Sequence, residues 1–106
     1  MKKGTRKYGI LEEDMGRIIS IFNGNPKTRK ITLFGSRAKG NFEPGSDIDI
    51  AWFGEELDLD DIRNAGLKYD ELFLPYKLDL LVYDHIEEPA LREHIDRIGI
   101  ILFEGK

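Results

Sequence analysis

Two aspartates separated by one isoleucine follow a glycine-rich turn in the segment GSRAKGNFEPGSDIDI, residues 35–50. From Asp47 onward polar and apolar residues alternate, which predicts a β-strand. Residues two apart on a strand face the same way, so Asp47 and Asp49 project side by side with Cα atoms roughly 6 to 7 Å apart. Like charges this close repel, and aspartate is uncommon in strands. The pair therefore indicates a site for a divalent cation, and its oxygen ligands favour Mg²⁺ or Mn²⁺.

A third carboxylate, Asp79, lies in the aliphatic segment KLDLLV of a later predicted strand. A carboxylate among aliphatic residues is costly unless it has a partner. If this strand lies beside the earlier one, Asp79 joins Asp47 and Asp49, and three carboxylates could hold two metal ions about 3.5 to 4 Å apart, as in-line phosphoryl displacement requires. The alternative is structural: Asp47 caps a turn, Asp49 lies on a solvated face, and Asp79 pairs with a lysine or an arginine.

The glycine-rich turn itself follows a predicted strand, RKITLFG. Gly35 would let the backbone approach a ligand closely. The hydroxyl and the backbone N–H of Ser36 could both donate to a phosphate oxygen. Arg37 and Lys39 add positive charge beside the acids. An ordinary strand-to-helix turn with Ser36 as its N-cap is the alternative interpretation.

Periodicity and turn residues divide the chain into elements in the order α-β-β-α-β-α-β. The predicted helices lie within residues 10–26, 57–73 and 87–99, and the predicted strands within 29–35, 46–53, 76–84 and 100–105. Asn23 and Gly24 offer a left-handed cap to the first helix. On the second predicted strand, Ile48, Ile50 and Trp52 share the face opposite the aspartates.

Length and composition limit the classes of function. The 106 residues predict one domain, 1–106. The net charge of −4 argues against a broad basic face for duplex nucleic acid. The chain has no cysteine, which excludes disulfides and thiolate metal sites and favours a reducing cytoplasm. No apolar run reaches about 18 residues, so we expect neither a transmembrane helix nor a membrane partner.

The motifs resemble those of the minimal nucleotidyltransferases (MNT) of the DNA polymerase β superfamily. The family pattern is Gly-Ser, ten residues, Asp-x-Asp and a later Asp, and the chain matches it with Gly35-Ser36, residues 37–46, Asp47-Ile48-Asp49 and Asp79. The resemblance implies an α/β (α+β) fold, a mixed central β-sheet of about four strands flanked by helices. It also implies catalytic and metal-binding roles for the three aspartates, triphosphate binding by Gly35 and Ser36, and a phosphate contact for Arg37.

The same resemblance implies an activity, the transfer of a nucleoside monophosphate, AMP from ATP with Mg²⁺, onto an acceptor hydroxyl. Minimal members are often encoded beside a small helical HEPN protein, and in several such toxin-antitoxin pairs the MNT protein adenylylates a HEPN tyrosine. We therefore expect ATP as donor and a tyrosine of a HEPN partner as acceptor. Two alternatives stay open: a non-catalytic antitoxin that neutralises its partner by binding, with residues 55–61 as an acidic docking face, and transfer to a small molecule such as an aminoglycoside.

Overall fold

Six strands and four α-helices form from residues 4–105, the part of the chain that the computed structural model describes. The strands are β1 (Arg6–Lys7), β2 (Ile10–Leu11), β3 (Thr28–Phe34), β4 (Ile48–Gly54), β5 (Leu78–Val82) and β6 (Ile100–Glu104). The helices are α1 (Glu12–Asn23), α2 (Gly35–Lys39), α3 (Leu59–Asp70) and α4 (Pro89–Ile98), and a 3₁₀ turn spans Tyr83–His85. Over these residues, no helix has the length and apolar character needed to cross a membrane.

Four of the strands form one mixed sheet in the order β5-β4-β3-β6. Strand β3 pairs antiparallel with both β4 and β6, whereas β4 and β5 are parallel. A parallel pair needs a crossover connection, and α3 supplies it. The predicted mixed sheet of four strands flanked by helices is therefore confirmed.

The alternation along β4 sorts its side chains between two cores, as predicted. Ile48, Ile50 and Trp52 are buried in the larger core with residues of α1 and α3. Ala51 lies on the opposite face and packs with Ile95 of α4. Because successive strand residues point to opposite faces, Asp49 lies on the α4 face.

Trp52 is a core residue that holds the sheet against α1. Its ring meets Phe22 edge to face with centroids 5.0 Å apart, and its indole N–H donates to Oγ1 of Thr28 at 2.8 Å. Thr28 in turn donates to the carbonyl of Phe22 at 2.7 Å. The polar end of the indole is therefore satisfied inside the core, which is the usual condition for burying a tryptophan.

Two local features differ from the sequence-based expectation. The first is a hairpin of β1 and β2 whose turn residues, Tyr8 and Gly9, have φ of 57° and 77°. Its strands are too short to show alternation. The second is the end of α1, where Gly24 is right-handed with φ of −74°. A left-handed cap is not needed there, because the hydroxyl of Thr28 satisfies the carbonyl of Phe22.

The acidic start of α3 is held mainly through Asp61, and Lys27 also forms a longer ion pair of 3.9 Å with Asp58. Asp58 and Asp61 form a reciprocal capping box, with N–H to carboxylate distances of 2.9 and 3.0 Å. Lys27 Nζ donates to Asp61 at 2.8 Å, and the Asn25 amide donates to it at 3.0 Å. These donors, Lys27 first, hold the pKa of the Asp61 carboxyl well below its usual range.

Replacing Asp61 with asparagine is expected to lower Tm by several degrees at pH 7, because the ionised carboxylate is the form that Lys27 stabilises. A lowered folded-state pKa adds stability above the unfolded pKa of about 3.9, and that stability is lost as the pH falls below it. The Tm difference between wild type and D61N should therefore narrow below about pH 4. Thermal unfolding of D60N is the matched control, since Asp60 is 80 % exposed and pairs only at the surface with Arg63. Equal losses in both variants would contradict the role of Asp61.

Candidate active site

The pairing of two parallel strands, β4 and β5, brings the carboxylates of the candidate site together. Asp49 on β4 lies directly opposite Asp79 on β5. The backbone N–H of Ile48 donates to the carbonyl of Lys77 at 2.8 Å at the start of this pairing. Neighbouring strands lie about 4.8 Å apart, so the two carboxylates are adjacent on one face of the sheet. The sequence-based expectation that the strand carrying Asp79 lies beside the strand carrying Asp49 is confirmed.

Asp49 is the carboxylate of the site whose pKa is clearly shifted. The pKa of Asp49 is raised from 3.8 to about 6, first by burial and then by the neighbouring charge of Asp79, a hydrogen bond to Asp79 and the charge of Asp47. Only the positive charge of Arg37 acts in the opposite direction. Partial burial beside like charges disfavours the ionised form of Asp49, and a bound cation would remove that cost.

Gly35 closes one side of the carboxylate cluster. It follows β3, whose last residue Phe34 pairs with Asp49. Gly35 has φ of +75°, which other residues rarely adopt, and a Cβ at this position would overlap Oδ2 of Asp49. The absence of a side chain therefore lets the turn lie directly against the Asp49 carboxylate. The sequence pattern indicated a close approach here, but not that the approaching group is this aspartate.

Ser36 lies in the first turn of α2, beside Gly35 and partly exposed. Its carbonyl accepts the N–H of Gly40 at 2.9 Å and that of Asn41 at 3.2 Å, and these bonds end the helix. Phe34 occupies the N-cap position, so the structural alternative in which Ser36 caps the helix is wrong. Its hydroxyl stays available to the predicted phosphate role.

Arg37 is placed differently from the implied phosphate contact. Its side chain is only 1 % exposed. Nη2 and Nε donate to the carbonyl of Ser46 at 2.8 and 3.3 Å, and Nη1 donates to the carbonyl of Tyr8 at 2.8 Å. Because the guanidinium is buried and already donates to backbone carbonyls, a direct contact with phosphate is not favoured. We therefore assign to Arg37 the role of supporting the loop that leads into Asp47.

The carboxylate oxygens at this site are the type of ligand that hard divalent cations prefer. Asp49 and Asp79 offer adjacent carboxylate oxygens, and Asp47 is close enough for its charge to raise the pKa of Asp49. Within residues 4–105, no three histidine, aspartate or glutamate side chains are gathered at metal-ligating distance. An adjacent oxygen pair with a third carboxylate nearby fits Mg²⁺ or Mn²⁺.

A groove of about 470 Å³ lies between α3 and β5 but does not belong to this cluster. Its lining includes Tyr69, Leu78 and Leu80. Leu78 and Leu80 point to the face of β5 opposite Asp79, because strand residues alternate. The sheet therefore separates the groove from the carboxylates.

Comparison with known proteins places the chain among nucleotidyltransferases. A family model described as polymerase beta nucleotidyltransferase matches residues 16–106, which include every residue of the candidate site. A protein of Haemophilus influenzae named "Probable protein adenylyltransferase MntA" is 31 % identical over 97 residues, covering 90 % of this chain and 83 % of that protein.

Solved structures share the fold. A toxin-antitoxin crystallised with AMP-PNP matches with a TM-score of 0.72 at 26 % identity, over 87 % of this chain and 74 % of that chain. A chain in the structure of the tri-AMPylated Shewanella oneidensis HEPN toxin in complex with MNT antitoxin matches with a TM-score of 0.68 at 23 % identity, over 89 % of this chain and 72 % of that chain. At the identity of this second match, the likeness concerns the fold alone.

Proposed function

The chain belongs to the polymerase beta family of nucleotidyltransferases, and we propose that it transfers AMP from ATP, with Mg²⁺, onto a tyrosine hydroxyl of a HEPN-type toxin. In this proposal it acts in the cytoplasm as the antitoxin of the pair. The relative named as a protein adenylyltransferase and the toxin-antitoxin with bound AMP-PNP support a protein acceptor and an adenine nucleotide donor.

One observation carries the proposal, the pairing of Asp49 with Asp79 beside the Gly35-Ser36 turn. Asp47, Asp49 and Asp79 would hold Mg²⁺, which supplies charge neutralisation on the phosphates and a lower pKa for the attacking hydroxyl. The turn is the group of this chain best placed to bind the leaving pyrophosphate. Donors there fix the nucleotide so that the leaving group departs in line with the attack.

In the proposed reaction one P–O bond forms, one P–O bond breaks, and the tyrosine hydroxyl releases its proton to solvent by way of the Asp79 carboxylate. The tyrosine oxygen forms a bond to the α-phosphorus, the bond from that phosphorus to the oxygen bridging to the β-phosphorus breaks, and pyrophosphate leaves. Asp79 is exposed on β5, one of the two edge strands of the four-stranded sheet, so a protein acceptor can reach it from outside. We assign Asp79 to favouring the loss of the hydroxyl proton in this step.

Mass spectrometry of the partner tests the proposal. The purified chain, ATP, Mg²⁺ and the HEPN-type product of the adjacent gene should give an AMP adduct on a tyrosine of the partner. Omission of Mg²⁺, or addition of excess EDTA, should abolish the adduct. An unmodified partner in the complete reaction would exclude the HEPN tyrosine as acceptor.

A double variant, D47A with D49A, separates catalysis from binding. It removes two of the three proposed metal ligands and leaves the exposed surface of α3 unchanged. If the chain acts by catalysis, the variant should still fold, should give no AMP adduct and should fail to neutralise the toxin in cells. If the variant neutralises the toxin as well as wild type does, the chain acts as a non-catalytic antitoxin that neutralises its partner by binding.

A further inference from the structure

The hairpin of β1 and β2, here called the N-terminal hairpin (residues 6–11), contacts the loop that leads into the carboxylate cluster. It lies outside the residues matched by the family, which begin at position 16. The carbonyl of Tyr8 at its turn accepts a hydrogen bond from Nη1 of Arg37 at 2.8 Å. The next residue, Gly9, packs so closely that a Cβ there would overlap both Arg37 and Phe42.

The other side of Arg37 holds the residue immediately before Asp47. Nη2 donates to the carbonyl of Ser46 at 2.8 Å. Ser46 also closes the loop on itself: its N–H donates to the carbonyl of Glu43 at 2.9 Å, and its hydroxyl accepts the N–H of Glu43 at 2.9 Å. The guanidinium thus bridges the N-terminal hairpin and the loop of residues 41–47.

Aromatic rings complete the enclosure of this charge. The guanidinium carbon of Arg37 lies 5.1 Å from the ring centroid of Phe42 and 5.1 Å from that of Tyr76. Arg6 of the hairpin donates to the carbonyl of Gly9 at 3.1 Å and to the Tyr76 hydroxyl at 3.3 Å. A buried guanidinium is tolerated only when its donors are satisfied, and the hairpin supplies one acceptor and part of the cover.

We propose that the N-terminal hairpin is a positioning element for nucleotidyl transfer. It acts through Arg37 and Ser46, which hold the carboxylate of Asp47 beside that of Asp49. The metal role of Asp47 belongs to the proposed function, and the inference rests on it. Arg37 is the positioning residue, since it is buried and contacts the backbone immediately before Asp47. A displacement of about 1 Å at such a carboxylate can reduce turnover by about 100-fold.

The variant G9A tests the inference in the full-length chain. Its methyl group would overlap Arg37 and Phe42, so the guanidinium must move away from Tyr8 or from Ser46. At a temperature well below Tm, kcat for AMP transfer should fall by about 10- to 100-fold, while KM for ATP changes by less than about threefold. Hydrogen exchange of the backbone amides at residues 46–48 should accelerate, and Mn²⁺ affinity measured by electron paramagnetic resonance should fall by about 10-fold.

G40A is the matched control. Gly40 also has a positive φ, +89°, but a Cβ there would meet open space. The same backbone strain without the overlap should leave kcat and Mn²⁺ affinity within about 1.5-fold of wild type. A milder variant, R6A, removes the surface bonds to Gly9 and Tyr76 and should lower kcat by about threefold without affecting folding.

Wild-type kcat and Mn²⁺ affinity in G9A, or losses no larger than those of G40A, would overturn the inference. Hydrogen exchange and Mn²⁺ binding do not require the acceptor. If wild type binds Mn²⁺ but transfers no AMP to the HEPN partner, the acceptor assignment fails while these two measurements still decide the role of the hairpin.

Discussion

Replacement of Asp49 with asparagine is expected to reduce AMP transfer by at least about 1,000-fold and to stabilise the metal-free protein at the same time. The loss of activity follows from removing a metal ligand that lies opposite Asp79. The gain in stability follows because asparagine is neutral. It removes the cost of burying a charge and the repulsion from Asp79, which together raise the pKa of Asp49 to about 6. After allowance for solvent screening, we expect a gain of about 1 kcal/mol at pH 7.

The stability difference should depend on pH in a defined direction. Folded Asp49 holds its proton more tightly than the unfolded chain does, so its contribution to stability is fully present below the unfolded pKa of about 3.9 and is lost as the pH rises through about 6. Urea unfolding in EDTA should therefore show wild type losing stability relative to D49N between about pH 4 and pH 6. Added Mg²⁺ should stabilise wild type and have little effect on D49N.

D84N provides the comparison for both effects, since Asp84 is an exposed carboxylate beyond the end of β5. It should keep full activity and unchanged stability. Retained transfer by D49N would remove Asp49 from the catalytic site. A less stable D49N protein in EDTA would show that burial of the Asp49 charge beside other carboxylates does not destabilise the metal-free protein.

The second large effect is expected from G35A. The added methyl group meets the Asp49 carboxylate, and alanine is strained at φ of +75°. Strain and overlap together should lower the free energy of unfolding by about 2 to 4 kcal/mol. Displacement of Asp49 should lower kcat by about 100-fold in the fraction that stays folded. Urea unfolding and steady-state AMP transfer measure the two effects.

Comparison with G40A separates strain from overlap, because Gly40 has a φ of +89° and open space around its missing Cβ. G40A should lose about 1 to 2 kcal/mol of stability and retain most of its activity. If G35A retains wild-type kcat, Gly35 is needed for backbone conformation alone, and its contact with Asp49 has no catalytic consequence.

The sequence was sufficient for features that depend on local periodicity. Alternation assigned Asp49 to one face of β4 and Trp52 to the other, and the same rule separated Asp79 from Leu78 and Leu80. Glycine and proline positions marked the ends of most elements. The spacing of Gly35-Ser36, Asp47-Ile48-Asp49 and Asp79 indicated the family, which the match over residues 16–106 confirms.

The tertiary structure decided what depends on contacts between distant segments. The pairing of Asp49 with Asp79 requires β4 and β5 to be neighbours in a given register, and a shift of one residue would turn one carboxylate to the other face. The partners of Arg37 come from residues 8 and 46, far apart in the chain. Side-chain type indicates charge, but only packing determines whether a charge faces a ligand or is enclosed, as Arg37 is.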